Sequence, residues 1–457
     1  MYTFIAITGL GVLCLLFEIF NLRKAIVPFT IIGLLAILGL TFSDYDAPAA
    51  YYNNMIVVSN FSVAFSSLFI ILAILLIAMS HSFYHAQITK ISDFIALKIF
   101  LLAGAVAMVS FGNLAMFFLG LEVLSIALYV LAASDRRHIK SNEAGMKYFL
   151  MGAFASGVLL FGICLIYGAM GTFDLAEISE LTLSAELPDR WFFMGLILMV
   201  IGMLFKVAAV PFHFWAPDVY EGSPTLTTAT MSTLVKVTAM AALYKLVTDM
   251  RIPYNEVFQI VIAVVSIASM TIGNIMALRQ TNVKRMLAYS GISHAGFMLM
   301  TLLGNADMSG ILLYYAAAYA LAGVAAFSVL MFVAHNRDTE NIFSFNGLGK
   351  THPILAAMLT ASLLSMAGIP IFAGFFAKFS LFTEVIDAGY LTVVIIAVVN
   401  SIISVGYYFK LILAMYTQES TEVRVPRSAI YHAVAIVAIV LNLIMGFFPN
   451  LVVGVLS

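Results

Sequence analysis

The chain has 457 residues, of which 63% are apolar and 10% charged, against about a quarter charged in a soluble domain. Its 23 acidic and 22 basic side chains leave a net charge of −1, too balanced for a nucleic-acid-binding surface. A water-soluble globular enzyme is excluded, and at roughly 20 apolar residues per bilayer crossing the composition suffices for about fourteen crossings.

The first residues, MYTFIAITGLGVLCLLFEIF, are apolar from the start and lack the basic lead and small-residue cleavage site of a signal peptide, so they are expected to stay as the first span. Further spans are predicted near 25–42, 61–80, 93–110, 113–133, 144–168, 190–214, 225–248, 255–278, 284–303, 308–335, 352–386, 389–416 and 429–455. Lipid offers the backbone no hydrogen bonds, and the runs lack the ten-residue alternation of a membrane barrel, so each span must be a helix. The predicted fold is an all-α polytopic membrane protein of about fourteen transmembrane helices. Cys14 and Cys164 both lie inside apolar runs, in no metal or disulfide spacing, and are expected to be packing residues.

Loop charge sets the orientation. The loops after odd-numbered spans hold Arg23, Lys24, Lys90, Arg136, Arg137, Lys140, Arg279, Lys284, Arg285, Arg337, Lys350, Arg424 and Arg427, whereas the opposite loops hold only Arg190 and Arg251. This asymmetry puts the odd loops inside and both termini outside.

Seven lysines fall within or at the edges of spans: Lys98, Lys147, Lys206, Lys236, Lys245, Lys378 and Lys410. A charge at the bilayer centre costs about 2.5–3.5 kcal/mol even on the lenient insertion scale. Long lysine side chains near a helix end avoid that cost by snorkelling, and this is the expectation for Lys98, Lys245 and Lys410. Lys206, Lys236 and Lys378 are many residues from any loop and need a functional explanation, as does the mid-span acid Glu122. Burial and nearby cations favour a neutral amine, and a nearby carboxylate favours the ammonium. A Lys206 that gains or loses Glu122 as partner would switch between holding and releasing a proton, with Lys236 to receive it and Lys378 to pass it on.

Prolines accompany these lysines. Pro211 and Pro217 follow Lys206, and Pro370 precedes Lys378, so spans 7 and 12 are predicted to be broken. Breaks in corresponding positions of two halves point to a transport site. Being five spans apart, they imply inverted repeats over spans 4–8 and 9–13. The expected division is 1–92 for the first three spans, 93–248 and 249–416 for the repeats, and 417–457 for the last span. Lys206 and Lys378 are 172 residues apart, and the same step carries Glu122 to His294. His213, beside Pro211, supplies a second imidazole near the first break. Gly349-Lys350-Thr351 imitates the end of a phosphate loop, but Ser344 stands where that motif needs glycine.

The segments MFFLGLEVLSIALYVLAA, EAGMKYFLMGAFASG, MLFKVAAVPFHFWAPDVYEGSPT, MSTLVKVTAM, NVKRMLAYSGISHAGF and AGIPIFAGFFAKF, in that order over most of the chain, resemble the antiporter-like membrane subunits of respiratory complex I. The PFHFWAPD stretch is shared with multisubunit sodium/proton antiporters. DVYEGSP, a lysine at position 378 and the lack of a long lateral helix after span 14 are most similar to the subunit N branch. The resemblance implies a proton-translocating subunit of an NADH:quinone oxidoreductase. It further implies that Glu122 and Lys206 form the pair on spans 5 and 7, that Lys236 is the central lysine, and that Lys378 faces the outer half-channel. Lys147 matches the lysine of the sixth helix, and His213 and His294 match relay or water-organising histidines. Such a subunit binds no cofactor itself. The NADH, FMN, iron–sulfur clusters and quinone belong to other parts of the complex, and its partners are sister antiporter-like subunits, small membrane subunits and lipid in a bacterial inner membrane, with both termini on the periplasmic side. A cation/proton antiporter or membrane-bound hydrogenase subunit would use the same lysines with another driver. The outside loops 43–60 and 169–189 carry scattered acids without catalytic spacing, which argues against an enzyme acting on lipid-linked substrates. A structural spacer stabilised by its lysines is the remaining alternative.

Overall fold

A computed structural model describes residues 1–84, 90–184, 190–251, 256–304, 307–337, 339–419 and 429–456. The predicted Arg424 and Arg427 lie outside these residues. The chain is a bundle whose helices are α1 (Tyr2–Ile19), α2 (Ile26–Phe42), α3 (Asn60–Ala78), the short α4 (Ser80–Phe83), α5 (Ile91–Ser110), α6 (Leu114–Ala132), α7 (Ile139–Met170) and α8 (Leu175–Ser184). There follow α9 (Arg190–Val207), α10 (Trp215–Gly222), α11 (Thr225–Thr230), α12 (Lys236–Asp249), α13 (Glu256–Leu278), α14 (Val283–Leu299) and α15 (Ser309–Arg337). The last are α16 (Leu348–Thr351), α17 (Pro353–Ala367), α18 (Ala373–Asp387), α19 (Leu391–Thr417), α20 (Ala429–Phe447) and α21 (Asn450–Val453).

Among the described residues twelve helices are long and apolar enough to cross a membrane. The two other predicted spans coincide with α2, of 17 residues, and with the pair α17 and α18. A π-helical turn, Met231–Val235, joins α11 to α12 just before Lys236. Sequence reading missed the antiparallel hairpin of β1 (Ala49–Tyr51) with β2 (Ile56–Val58) and the amphipathic α8, both between spans and too short to give a hydropathy signal of their own.

Polarity sorts the helices. The segments Thr225–Asp249, Val283–Leu303 and Ser309–His335 each hold an 18-residue stretch that is wholly buried; they carry Lys236, His294 and a row of hydroxyls, and a helix polar on several faces cannot lie against lipid. The more uniformly apolar α1, α7, α13, α19 and α20 surround them and expose leucine, isoleucine, valine and phenylalanine.

One local architecture occurs twice. Asn113 caps α6 by accepting from the Ala115 amide at 2.7 Å, and Asn282 caps α14 by accepting from the Arg285 amide at 3.0 Å. Each cap forms a single bridge to a distant loop, Asn113 to Asp174 and Asn282 to Asn341. α5 crosses α6 at Gly104, where an added Cβ would lie 2.7 Å from the Leu124 nitrogen, and α13 crosses α14 at Gly273, 2.7 Å from the Ser293 nitrogen.

Contacts between loops place them on two faces. Lys140 pairs with Glu221, Arg285 with Asp218 and Glu221, and Lys284 with Glu340, so loops after spans 5, 7, 9 and 11 share one face. Opposite it, the N-terminal amine lies 3.9 Å from Asp44 and the Tyr45 hydroxyl donates to the Val455 carbonyl at 2.8 Å. The two termini therefore lie on one face, opposite the basic loops. Asn113 and Asn282 cap their helices from opposite faces.

Candidate functional site: a buried row of ionisable groups

Both predicted helix breaks are present. α9 ends at Val207 and Ala208 takes φ 59° before Pro211. α17 ends at Ala367 and Gly368 takes φ 87° before Pro370. A broken end leaves carbonyls without helical partners, and buried ammonium groups occupy them. Lys236 Nζ donates to the Val207 carbonyl at 3.2 Å and to the Gly291 carbonyl at 3.0 Å. Lys378 Nζ donates to the carbonyls of Met366 and Ala367 at 3.2 and 3.0 Å and to Ser401 Oγ at 2.7 Å, with the Phe297 ring 4.9 Å away.

Lys206 stands two residues before its break, and Lys378 follows the start of its break by ten. The two lysines thus lie on opposite sides of their breaks. The matched crossings Gly104/Leu124 and Gly273/Ser293 align Ser125 with His294 and Glu122 with Gly291.

Lys206 Nζ donates to Ser125 Oγ at 2.5 Å, and Ser125 in turn donates to the Leu121 carbonyl. The rings of Tyr129 and Tyr148 lie 5.9 and 5.7 Å from the ammonium, within cation–π range. Trp215 stacks on Tyr148 at 4.8 Å and donates its indole N–H to the Phe205 carbonyl at 3.1 Å, tying α10 back onto α9. Glu122 lies one helical turn from Ser125, and its Oε1 is buried without a hydrogen-bond partner. The expected Glu122–Lys206 pair is not closed by direct contact; the Lys206 ammonium bonds Ser125 instead.

His294 joins the second half. Its Nδ1 and the Tyr315 hydroxyl are 2.9 Å apart, and its Nε2 and the Tyr408 hydroxyl 3.3 Å. Tyr408 also bonds Ser290 Oγ at 2.5 Å, and Tyr319, whose ring centroid is 4.7 Å from that of His294, bonds Ser232 Oγ at 3.2 Å. A cavity of about 10 Å³ lined by His294, Tyr315, Tyr319, Ser365 and Lys378 separates the imidazole from the lysine, space on the order of one water. The row runs Glu122, Ser125, Lys206, Lys236, His294, Lys378.

Two predicted residues lie apart from it. Lys147, eight residues into α7, is 43% exposed on the basic face and pairs with Glu143 at 3.0 Å and Asp218 at 3.2 Å. There burial pushes the Asp218 carboxyl up, but Arg285 and Lys147 together hold it below its ordinary 3.8. His213 is buried in the first break, its Nδ1 without a hydrogen-bond partner, its ring against Phe214. Of the lysines expected to snorkel, Lys245 pairs with Asp249 at 2.6 Å and Lys410 is exposed, reaching the Gln280 carbonyl. Lys98 does not snorkel: it is 4% exposed.

Sequence reasoning missed the hydroxyls: Ser125, Ser401, Tyr315, Tyr319 and Tyr408. Helical spacing was their one signal, since Ser125 follows Glu122 by three residues and Tyr315 and Tyr319 are four apart on one face.

A polytopic bundle with two broken helices and mid-depth lysines defines a class of ion-moving membrane subunits, and comparison with known proteins agrees. The family described as NADH:quinone oxidoreductase/Mrp antiporter, TM, matches residues 111–404, and the chain belongs to it. The NADH-quinone oxidoreductase subunit N of Flavobacterium johnsoniae is 68% identical over 464 residues, covering 100% of both chains, which places the chain in the subunit N branch. A chain in the structure of respiratory complex I from Thermus thermophilus with bound aureothin is 32% identical, with a TM-score of 0.85 over 99% of this chain and 98% of that one. A chain of the membrane-bound sulfane sulfur reductase, an archaeal respiratory membrane complex, is 25% identical, with a TM-score of 0.89 over 99% and 96%.

Proposed function

We propose that the chain moves protons across a bacterial inner membrane as subunit N of NADH:quinone oxidoreductase, along Glu122, Lys206, Lys236, His294 and Lys378. The observation that carries the reading is the burial of Lys206, Lys236, His294 and Lys378 with polar partners, Lys236 reaching the Gly291 carbonyl one turn before His294. Lys206 adjoins Val207, whose carbonyl holds Lys236, and a water-sized space joins His294 to Lys378. A neutral amine takes a proton from one neighbour, and the ammonium releases it to the next when the partner set changes. Lys147 gathers protons at the basic face, and His213 organises water in the first break. NADH, FMN, iron–sulfur clusters and quinone act in other subunits, so coupling reaches this chain through its contacts with sister membrane subunits.

The basic face is assigned to the cytoplasm and both termini to the periplasm, supported by the loop charges. Spans 4–8 and 9–13 form inverted repeats, divided at 93–248 and 249–416, supported by the paired caps Asn113 and Asn282 and the paired crossings at Gly104 and Gly273. Affinity purification of the tagged chain in mild detergent tests the assignment. Co-purification with a flavin and iron–sulfur arm that oxidises NADH independently of sodium is expected. Sodium/proton exchange without NADH oxidation would move the chain to the antiporter class.

A further inference from the structure

Lys98 is a buried lysine outside the row. It lies seven residues into α5, about 10 Å of helix from the basic-face end, yet it is 4% exposed. Its Nζ donates to Ser80 Oγ at 2.9 Å and sits 4.9 Å from the centre of the Tyr84 ring. Ser80 and Tyr84 belong to α4 and its C-terminal edge, where the chain leaves α3 on the basic face.

Three features set this site apart. Among the described residues Lys98 makes no ion pair, its amine bonding the neutral Ser80 hydroxyl instead. An ammonium has three protons to donate, and one acceptor is in place, whereas Lys378 has three. The Tyr84 hydroxyl is buried, points toward Thr227 on α11 and closes no hydrogen bond. Thr227 donates in turn to the Leu131 carbonyl at 3.3 Å. A lysine kept only to tie α5 to α4 would need neither the burial of an uncompensated charge, costly in a membrane, nor an idle hydroxyl beside it.

We propose that Lys98, Ser80 and Tyr84 form a second proton-exchange site, loaded from water on the basic face and separate from the Lys206–Lys378 row. The neutral amine takes a proton from inner-face water. The ammonium passes it, through an intervening water, to the Tyr84 hydroxyl as that hydroxyl gives its own proton toward Thr227 at the start of α11. The amine is then neutral again and the tyrosine is restored. The site is an additional uptake branch toward the start of α11, and so it rests on the proposed proton-pumping function.

The test uses the assembled complex in inside-out membrane vesicles, where the rate of NADH-driven proton uptake is followed against external pH in Lys98→Met, Tyr84→Phe and Lys206→Ala. A partial slowing of uptake, roughly twofold, and a flattened pH profile are expected in both Lys98→Met and Tyr84→Phe, with assembly unchanged. Tyr84→Phe decides if Lys98→Met fails to assemble, because the hydroxyl it removes makes no hydrogen bond and a purely structural site would not register its loss. A wild-type rate and pH profile in Tyr84→Phe overturns the inference. Lys206→Ala separates the two claims: if it abolishes uptake while Lys98→Met and Tyr84→Phe pump normally, this site alone is refuted, and if it pumps normally the relay itself fails.

Discussion

Replacing Lys378 with methionine separates function from stability. The substitution keeps the length of the stem and removes a charge whose burial in a membrane costs about 2.5–3.5 kcal/mol. Against that gain stand the three acceptors it leaves, the carbonyls of Met366 and Ala367 and the Ser401 hydroxyl. Ser401 Oγ already donates to the Ala367 carbonyl at 3.2 Å, so the Met366 carbonyl is the group newly stranded, at about 1–3 kcal/mol. The two effects nearly cancel, and Lys378→Met should assemble with a stability within about 2 kcal/mol of wild type. Coupled pumping should nevertheless be lost, since His294 then faces a side chain that cannot accept a proton across the cavity. Thermal unfolding of the purified complex measures the first quantity, and protons moved per NADH oxidised in vesicles the second. An assembled variant with the wild-type ratio refutes the assignment of Lys378, and a variant that does not assemble refutes the energetic argument.

Ser125→Ala removes the hydroxyl that holds Lys206; a loss of about 1.5–3 kcal/mol and slower pumping are expected, read by thermal unfolding and vesicle acidification. Arg285→Ala frees Asp218 and Glu221 and should cost about 1 kcal/mol at this partly exposed site. Because the Asp218 carboxyl is held below its ordinary 3.8, that contribution is present above 3.8 and is lost only as pH falls through the lowered value. Thermal midpoints of wild type and variant should therefore stay separated across neutral pH and converge in strong acid. Gly104→Ala places a Cβ 2.7 Å from the Leu124 backbone nitrogen and should destabilise the α5–α6 crossing by about 1–3 kcal/mol or more. Gly157→Ala, with nothing within 4 Å, should be silent in the same assay.

The spans were legible because lipid forbids any other backbone solution, and the two breaks because proline removes a donor. Depth along a span picked out Lys206, Lys236 and Lys378, all buried with polar partners. Direction around a helix was not legible. Depth alone made Lys98 a snorkelling residue, yet its side chain turns inward to Ser80. For Lys206 the sequence supplied an acid, Glu122, as partner, while the fold supplies a serine one turn away. Lys147, placed three residues into its predicted span, lies eight residues into α7, because that helix begins at Ile139, five residues before the predicted start. The hydroxyl groups around His294 were hidden because serine and tyrosine are ordinary packing residues until a lysine or imidazole faces them.

The central claim, that protons cross this chain through its buried lysines, is tested most directly by the number of protons moved per NADH oxidised in the assembled complex carrying Lys206→Ala. The account predicts that the complex assembles and that coupled pumping is abolished. A wild-type ratio in the assembled variant would contradict it.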